Sequence, residues 1–205
     1  MKSAHEYLVF RRRVRVLAES LARLIPANAR VLDVGCGSGD IAAAIMQIRP
    51  DIAIEGVDVL VRDDTAIPVR AFDGYSIDAE DEAFDVAMMV DVLHHTDEPA
   101  RILAEAARVA KYGVVVKDHF RDGFLAGPTL RFMDWVGNAS HGVRLPYNYL
   151  AREEWQTIWS DLGLTPRHLD TEIGLYAKPF DALFGRELHF VTMLAKDAQL
   201  HSLAA

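Results

Sequence analysis

Along the chain, apolar positions recur first at helical spacing and then in short continuous runs. Residues 5–24 carry Leu8, Val14, Leu17 and Leu21 on one face and end at Pro26, which predicts an amphipathic N-terminal helix. Five apolar, β-branched runs follow: Arg30–Val34, Ile52–Val57, Ile67–Phe72, Phe84–Val90 and Tyr112–Lys117. Runs this apolar suit strands covered on both faces, as in a parallel sheet. Helical spacing returns between them, with Ile41, Ala44, Ile45 and Ile48 in 40–49 and Ile102, Leu103, Ala106 and Val109 in 98–110. A helix over 151–162 and two late strands, Leu164–Leu169 and Leu188–Leu194, complete the series; the two strands suit a terminal antiparallel pair, with a frayed tail from Lys196. The alternation predicts a doubly wound α/β fold, a mostly parallel seven-stranded sheet with an N-terminal helix and an insertion after the fifth strand.

That insertion, 119–150, breaks the rhythm. The stretch from Asp118 to Asn148 holds six glycine or proline residues among Phe120, Phe124, Phe132, Trp135 and Tyr147. Its place after a strand end suits a lid or the wall of a substrate pocket, the alternative being an extra helix on the sheet edge. With Met133 and Tyr149, its aromatic residues suggest an apolar or aromatic small molecule.

Composition narrows the classes. The 205 residues suit a single domain, 1–205. With 51% hydrophobic and 25% charged residues, the balance is that of a folded globule. A net charge of −8 does not favour a nucleic-acid partner. The one basic cluster, Arg11-Arg12-Arg13-Val14-Arg15, reads as a solvated helix face, with phosphate binding as its alternative. One cysteine, Cys36, rules out an internal disulfide and a cysteine-based zinc cluster. No apolar run is long enough for a membrane span, and the N-terminus lacks a signal-peptide core, so a cytoplasmic location is expected.

The chemistry centres on Asp33-Val34-Gly35-Cys36-Gly37-Ser38-Gly39-Asp40, a turn between the first strand and a helix. Glycines let backbone approach a ligand closely, and the helix start beyond offers free N–H groups. A dinucleotide fingerprint, counted from Gly35, wants its third glycine at position 40, which is Asp40; here it comes at Gly39. An acid at Asp33 suits a cationic ligand and would repel a pyrophosphate.

Asp33-x-Gly35-x-Gly37-x-Gly39 resembles motif I of the class I S-adenosylmethionine (SAM)-dependent methyltransferases. The remainder of residues 28–118 resembles their type-11 branch, which includes ubiquinone- and menaquinone-biosynthesis-like enzymes. The resemblance implies a Rossmann-like class I methyltransferase fold and SAM as cofactor. It carries Asp33, Gly35, Cys36, Gly37, Gly39 and Asp91 over as cofactor-binding residues. Asp58, 19 residues past Gly39, takes the place of the family's ribose-binding acid, with Val59 or Leu60 beside the adenine. Asp73-Gly74 matches the adenine-edge acid, although an Asp-Gly pair also forms turns unaided. Phe84-Asp85-Val86 through His95 resembles motif IV, in which Asp85 has a structural place.

For an oxygen nucleophile a base is often wanted, and histidine is tuned for that near neutral pH. Of His94, His95 and His119, all at strand ends on the ligand side, His95 and His119 are the candidate catalytic residues; the alternative is packing or capping. Some small O-methyltransferases bind Mg²⁺ through acids placed like Asp91 and Asp118, but other motifs differ, so no metal is expected. The loop after the fourth strand, Asp91-Val92-Leu93-His94-His95, lacks the Asn/Asp-Pro-Pro-Tyr clamp of the DNA amino-methylating enzymes. Methylation of a small molecule, at oxygen in preference to carbon or nitrogen, is the expected activity. A non-catalytic SAM-binding module and a nicotinamide-dependent Rossmann oxidoreductase are the alternatives.

Overall fold

A computed structural model describes residues 4–138, 146–178, 180–185 and 187–196. The chain runs α1 (Ala4–Ala22), β1 (Arg30–Val34), α2 (Asp40–Ile48), β2 (Ala53–Asp58), β3 (Val69–Ala71) and β4 (Phe84–Val90). It continues through a single 3₁₀ turn (Leu93–His95), α3 (Pro99–Val109), β5 (Ala110–His119), α4 (Ala126–Asn138) and α5 (Arg152–Asp161). The last elements are β6 (Leu164–Asp170), α6 (Asp181–Phe184) and β7 (His189–Lys196). The seven strands form one sheet in the order β3-β2-β1-β4-β5-β7-β6. Neighbours are parallel except β7, which runs antiparallel to β5 and β6. This is the doubly wound sheet expected from the alternation of runs.

The layers follow from the two-residue period of the strands. Leu32, Val34, Ala87, Met89, Val114 and Val116 face one side, where α3 and α5 bring Ile102, Leu103, Trp155 and Trp159. Val31, Val86, Met88 and Val115 face the other, covered by Leu17, Ala18 and Leu21 of α1 and Ala42 and Ile45 of α2. Central strands buried on both faces need no polar alternation, which is why they read as continuous apolar runs.

Two departures from the expected elements have local causes. The third run, Ile67–Phe72, shrinks to Val69–Ala71. It is an edge strand, paired among the described residues with β2 alone, and Pro68 has no N–H to give. The fifth run lengthens to Ala110–His119, because β7 pairs it as far as His119↔His189. The insertion holds a helix, α4, that the aromatic pattern alone left open; residues 139–145 of it lie outside the described residues, as does the tail from residue 197. Among the described residues no helix is long and apolar enough to cross a membrane.

Candidate active site

The strand order reverses between β1 and β4, and in such sheets ligands bind beyond the strand C-termini at that crevice. The glycine turn lies there. Gly39 caps α2 at φ 76° in the left-handed region, and a Cβ on it would come 2.5 Å from the Ile67 side chain. Gly35, at φ 75°, sits so close to Val92 that a Cβ would meet it at 2.6 Å. That contact joins the turn to the Asp91–His95 segment after β4.

Asp58 ends β2 and braces the turn. One carboxylate oxygen accepts the Gly37 N–H at 2.7 Å and the other the Leu60 N–H at 2.8 Å. Beside it, Val59 and Leu60 are exposed apolar side chains, 67% and 59% accessible. Asp33 is different. It is 3% exposed, no hydrogen bond reaches its carboxylate among the described residues, and burial together with the Asp58 charge pushes its pKa up to about 7. Burial, then Asp33 and Asp58, push the Cys36 thiol up to about 12. Asp73 makes a turn: one oxygen accepts the Tyr75 and Ser76 N–H groups, each at 2.7 Å. Gly74 follows at φ 86°, and the Asp73 side chain remains at the surface.

These features fit a SAM-type ligand. A buried, uncompensated acid beside a second acid is a place for positive charge, and exposed valine and leucine next to a strand-end acid suit an adenosine. When bound, SAM supplies a methyl group already activated on a sulfonium.

The three histidines meet at the ends of β4 and β5. A cavity of about 180 Å³ opens there, lined by His94, His95, His119 and His189 with Arg13, Asp91 and Lys117, and walled by Leu130, Met133, Tyr149, Leu175 and Tyr176. Asp91 is bonded to both Lys117 and Arg13. Burial alone would raise the Asp91 pKa; the two cations outweigh it and hold the carboxyl well below the usual range. Asp118 accepts the Leu93 N–H at 3.1 Å and the His119 N–H at 2.9 Å, and contacts His94 Nδ1 at 2.8 Å and His119 Nδ1 at 3.2 Å. An ionised carboxylate can only accept, so both rings carry their proton on Nδ1. Burial and then Lys117 push the His119 pKa down to about 4, so this imidazole is neutral near pH 7. Trp155 of α5 donates to the His119 carbonyl at 2.9 Å and anchors the strand end.

Asp91, His94 and His119 place donor atoms within 4.8 Å of one another, close enough to share a metal ion. Lys117 and Arg13 already neutralise Asp91, however, and an added dication would face both.

The cleft is more polar than the aromatic insertion suggested. Of the insertion's large residues, Met133 and Tyr149 line it, while Phe124, Phe132 and Trp135 are exposed. The basic cluster on α1 is also not merely a solvated face: Arg13 reaches Asp91, and Arg12 donates to the Gly174 and Leu175 carbonyls at 3.0 and 3.2 Å. Lys117 and His189 escaped the reading of the chain. A lysine inside a buried valine run was a usable signal for the first, since such a charge needs a partner. Nothing local marks His189, which only the β5–β7 register brings opposite His119.

The sheet order, the glycine turn at its switch point and the acid closing β2 define a class I SAM-dependent methyltransferase fold. Comparison with known families agrees: a model described as a methyltransferase domain matches residues 8–169, and the chain belongs to that family. Among curated relatives, a ubiquinone biosynthesis O-methyltransferase of Hahella chejuensis is 33% identical, over 41% of this chain and 40% of that protein. A 27-O-demethylrifamycin SV methyltransferase of Amycolatopsis mediterranei is 28% identical, over 47% and 41%. The matches thus span about two fifths of these relatives' length. A SAM-dependent methyltransferase structure from Thermotoga maritima covers 93% of this chain and 92% of its own, with a TM-score of 0.66 at 22% identity, a likeness of fold.

Proposed function

We propose that this protein transfers the methyl group of SAM to an oxygen of a small molecule bound in the histidine cleft. The observation that carries the reading is Asp33, a buried carboxylate with no partner among the described residues, beside Asp58 and under the glycine turn. An uncompensated buried acid is costly, and a cationic ligand removes the cost. Asp33, Asp58 and the turn Gly35, Cys36, Gly37 and Gly39 form the methionine and ribose side of the site. Val59, Asp73 and Gly74 form the adenine side. Asp91 follows at the boundary with the cleft, tied to Lys117 and Arg13.

The Gly35–Val92 contact sets the acceptor cleft against the cofactor turn, as a direct transfer requires. Within the cleft His119 is the first candidate base: neutral, with Nδ1–H fixed by Asp118 and Nε2 able to take a proton. His95, in the same wall, is the second. Two curated relatives named for O-methylation support oxygen as the accepting atom. The test is methyl transfer from labelled SAM to a panel of hydroxylated small molecules, with SAM binding measured by calorimetry on the same protein. Transfer should require SAM, and His119→Ala should lose turnover while retaining SAM affinity. SAM binding without transfer to any acceptor would leave the protein a SAM-binding module, and binding of NAD in place of SAM would overturn the assignment.

A further inference from the structure

Lys117 is the most unusual residue of the cleft. It is 1% exposed yet lines the cavity, near the end of a strand whose last seven residues are all buried. Its ammonium has three protons to give. Asp91 takes one, and His189 Nδ1, at 3.2 Å, takes another. The third contact, to His119 Nε2, is 3.5 Å long, the limit of a hydrogen bond. An oxygen atom entering the cleft between Lys117 and His119 can accept that third proton in place of His119 Nε2.

We propose that Lys117, with Arg13 behind it, is the acceptor-binding cation and holds the methyl acceptor as its oxyanion. This rests on the methyl-transfer reading above and deepens it. The charges at the cleft argue for it. Arg13 and Lys117 stand against two carboxylates, Asp91 and Asp118, so the cleft is formally balanced, but only Asp91 is bonded to the two cations. The Asp118 charge is met by two backbone N–H groups and two imidazoles. His119 and His189 are held neutral, each by burial first and the Lys117 charge second. Leu130, Met133 and Leu175 supply an apolar wall, and beside such a wall the field on a bound anion is stronger than in bulk water. A protonated amine in the same place would meet the Lys117 ammonium as a repulsion. The cavity of about 180 Å³ suits one substituted ring, since cavities of roughly 150 Å³ hold benzene.

The step balances. A hydroxyl acceptor gives its proton to His119 Nε2, and the oxygen is held by Lys117. Its lone pair forms the new O–CH₃ bond as the methyl carbon–sulfur bond breaks, the electron pair remaining on sulfur. The proton then leaves His119 through the cleft mouth to solvent. A carboxylate acceptor enters already ionised and omits the first transfer.

The probe is 4-nitrophenol, whose visible absorption reports its ionisation, titrated from pH 5 to 8 with the protein present and saturated. Bound nitrophenol should ionise about one pH unit or more below the free phenol, a tenfold preference for the anion. Lys117→Met should abolish that displacement while SAM affinity and the far-ultraviolet spectrum stay unchanged; Arg13→Gln, which spares the buried lysine, should reduce it. A calorimetric arm with 4-nitrobenzoate distinguishes a carboxylate acceptor from a phenolic one, and binding of either as its anion supports the site. Nitrophenol bound as the neutral phenol, a displacement that survives Lys117→Met, or neither probe binding at millimolar concentration would overturn the proposal. Loss of SAM binding by the unmodified protein would instead overturn the methyl-transfer reading.

Discussion

Replacing Asp33 by asparagine removes a charge and preserves the shape, so it separates the cost of that acid from its use. In the ligand-free protein the Asp33 pKa stands at about 7 against an ordinary 3.8. At about 1.4 kcal/mol per pH unit, the difference amounts to about 4 kcal/mol. Below about pH 4 native and unfolded chains both hold the proton, and no penalty exists. Between about 4 and 7 the native state holds it more tightly, so stability falls as pH rises. Above about 7 both forms are ionised, and the full penalty of about 4 kcal/mol remains.

Asp33→Asn should therefore be the more stable protein at pH 8, by up to about 4 kcal/mol, or roughly 8 °C or more in melting temperature for a chain this size. The same variant should bind SAM about 10- to 100-fold more weakly, the loss of about 1.5–3 kcal/mol for an interaction with a charged group. In the unmodified protein a cationic ligand favours ionised Asp33, so SAM affinity should fall as pH drops below 7, with proton release on binding. Differential scanning fluorimetry at pH 8, and calorimetry at pH 6 and 8 in buffers of different ionisation enthalpy, read all three effects. A variant less stable at pH 8 that binds SAM as tightly as the original would refute the reasoning.

Three further outcomes are expected. Gly39→Ala puts a Cβ 2.5 Å from Ile67 on a residue at φ 76°, and should cost about 2 kcal/mol or more in a urea titration. Burial raises the Asp118 pKa, but its hydrogen bonds and the two imidazoles hold the carboxyl below the usual range, so stability should decline as pH falls below about 4. Asp118→Asn should flatten that acid limb and cost about 3 kcal/mol or more at pH 7, seen as urea midpoints from pH 7 to 3. Cys36, its thiol pushed up to about 12, should resist iodoacetamide at pH 8, and alkylation at the rate of a free thiol would contradict its placement.

Most of the fold is legible in the chain because its signals are local. Strands buried on both faces must be apolar throughout, and the helices between them show one apolar face, so β1, β4, α2 and α3 fall within a residue or two of where periodicity puts them. The glycine turn is equally local, since close backbone packing at Gly35 and Gly39 excludes larger side chains whatever surrounds them. The acids at 33, 58 and 73 can be numbered from it because each closes, or lies near the close of, a strand.

The histidine cleft is another matter. Its residues come from α1, the segment after β4, β5, α4, β7 and the connections before α5 and after β6, separated in sequence and joined only by pairing and packing. Periodicity marks Arg13 as a surface residue and says nothing of His189; the path of α1 over the sheet and the antiparallel register of β7 bring both to the end of β5. The aromatic insertion looked like the wall of an apolar pocket, yet a helix shows opposite residues to opposite sides. Leu130 and Met133 reach the cleft, and Phe132 and Trp135 face away from it. The chain by itself determined the fold and the glycine turn, because period and backbone sterics are short-range. Only the tertiary structure decided the charge and chemistry of the histidine cleft, because electrostatic partners are chosen by proximity in space.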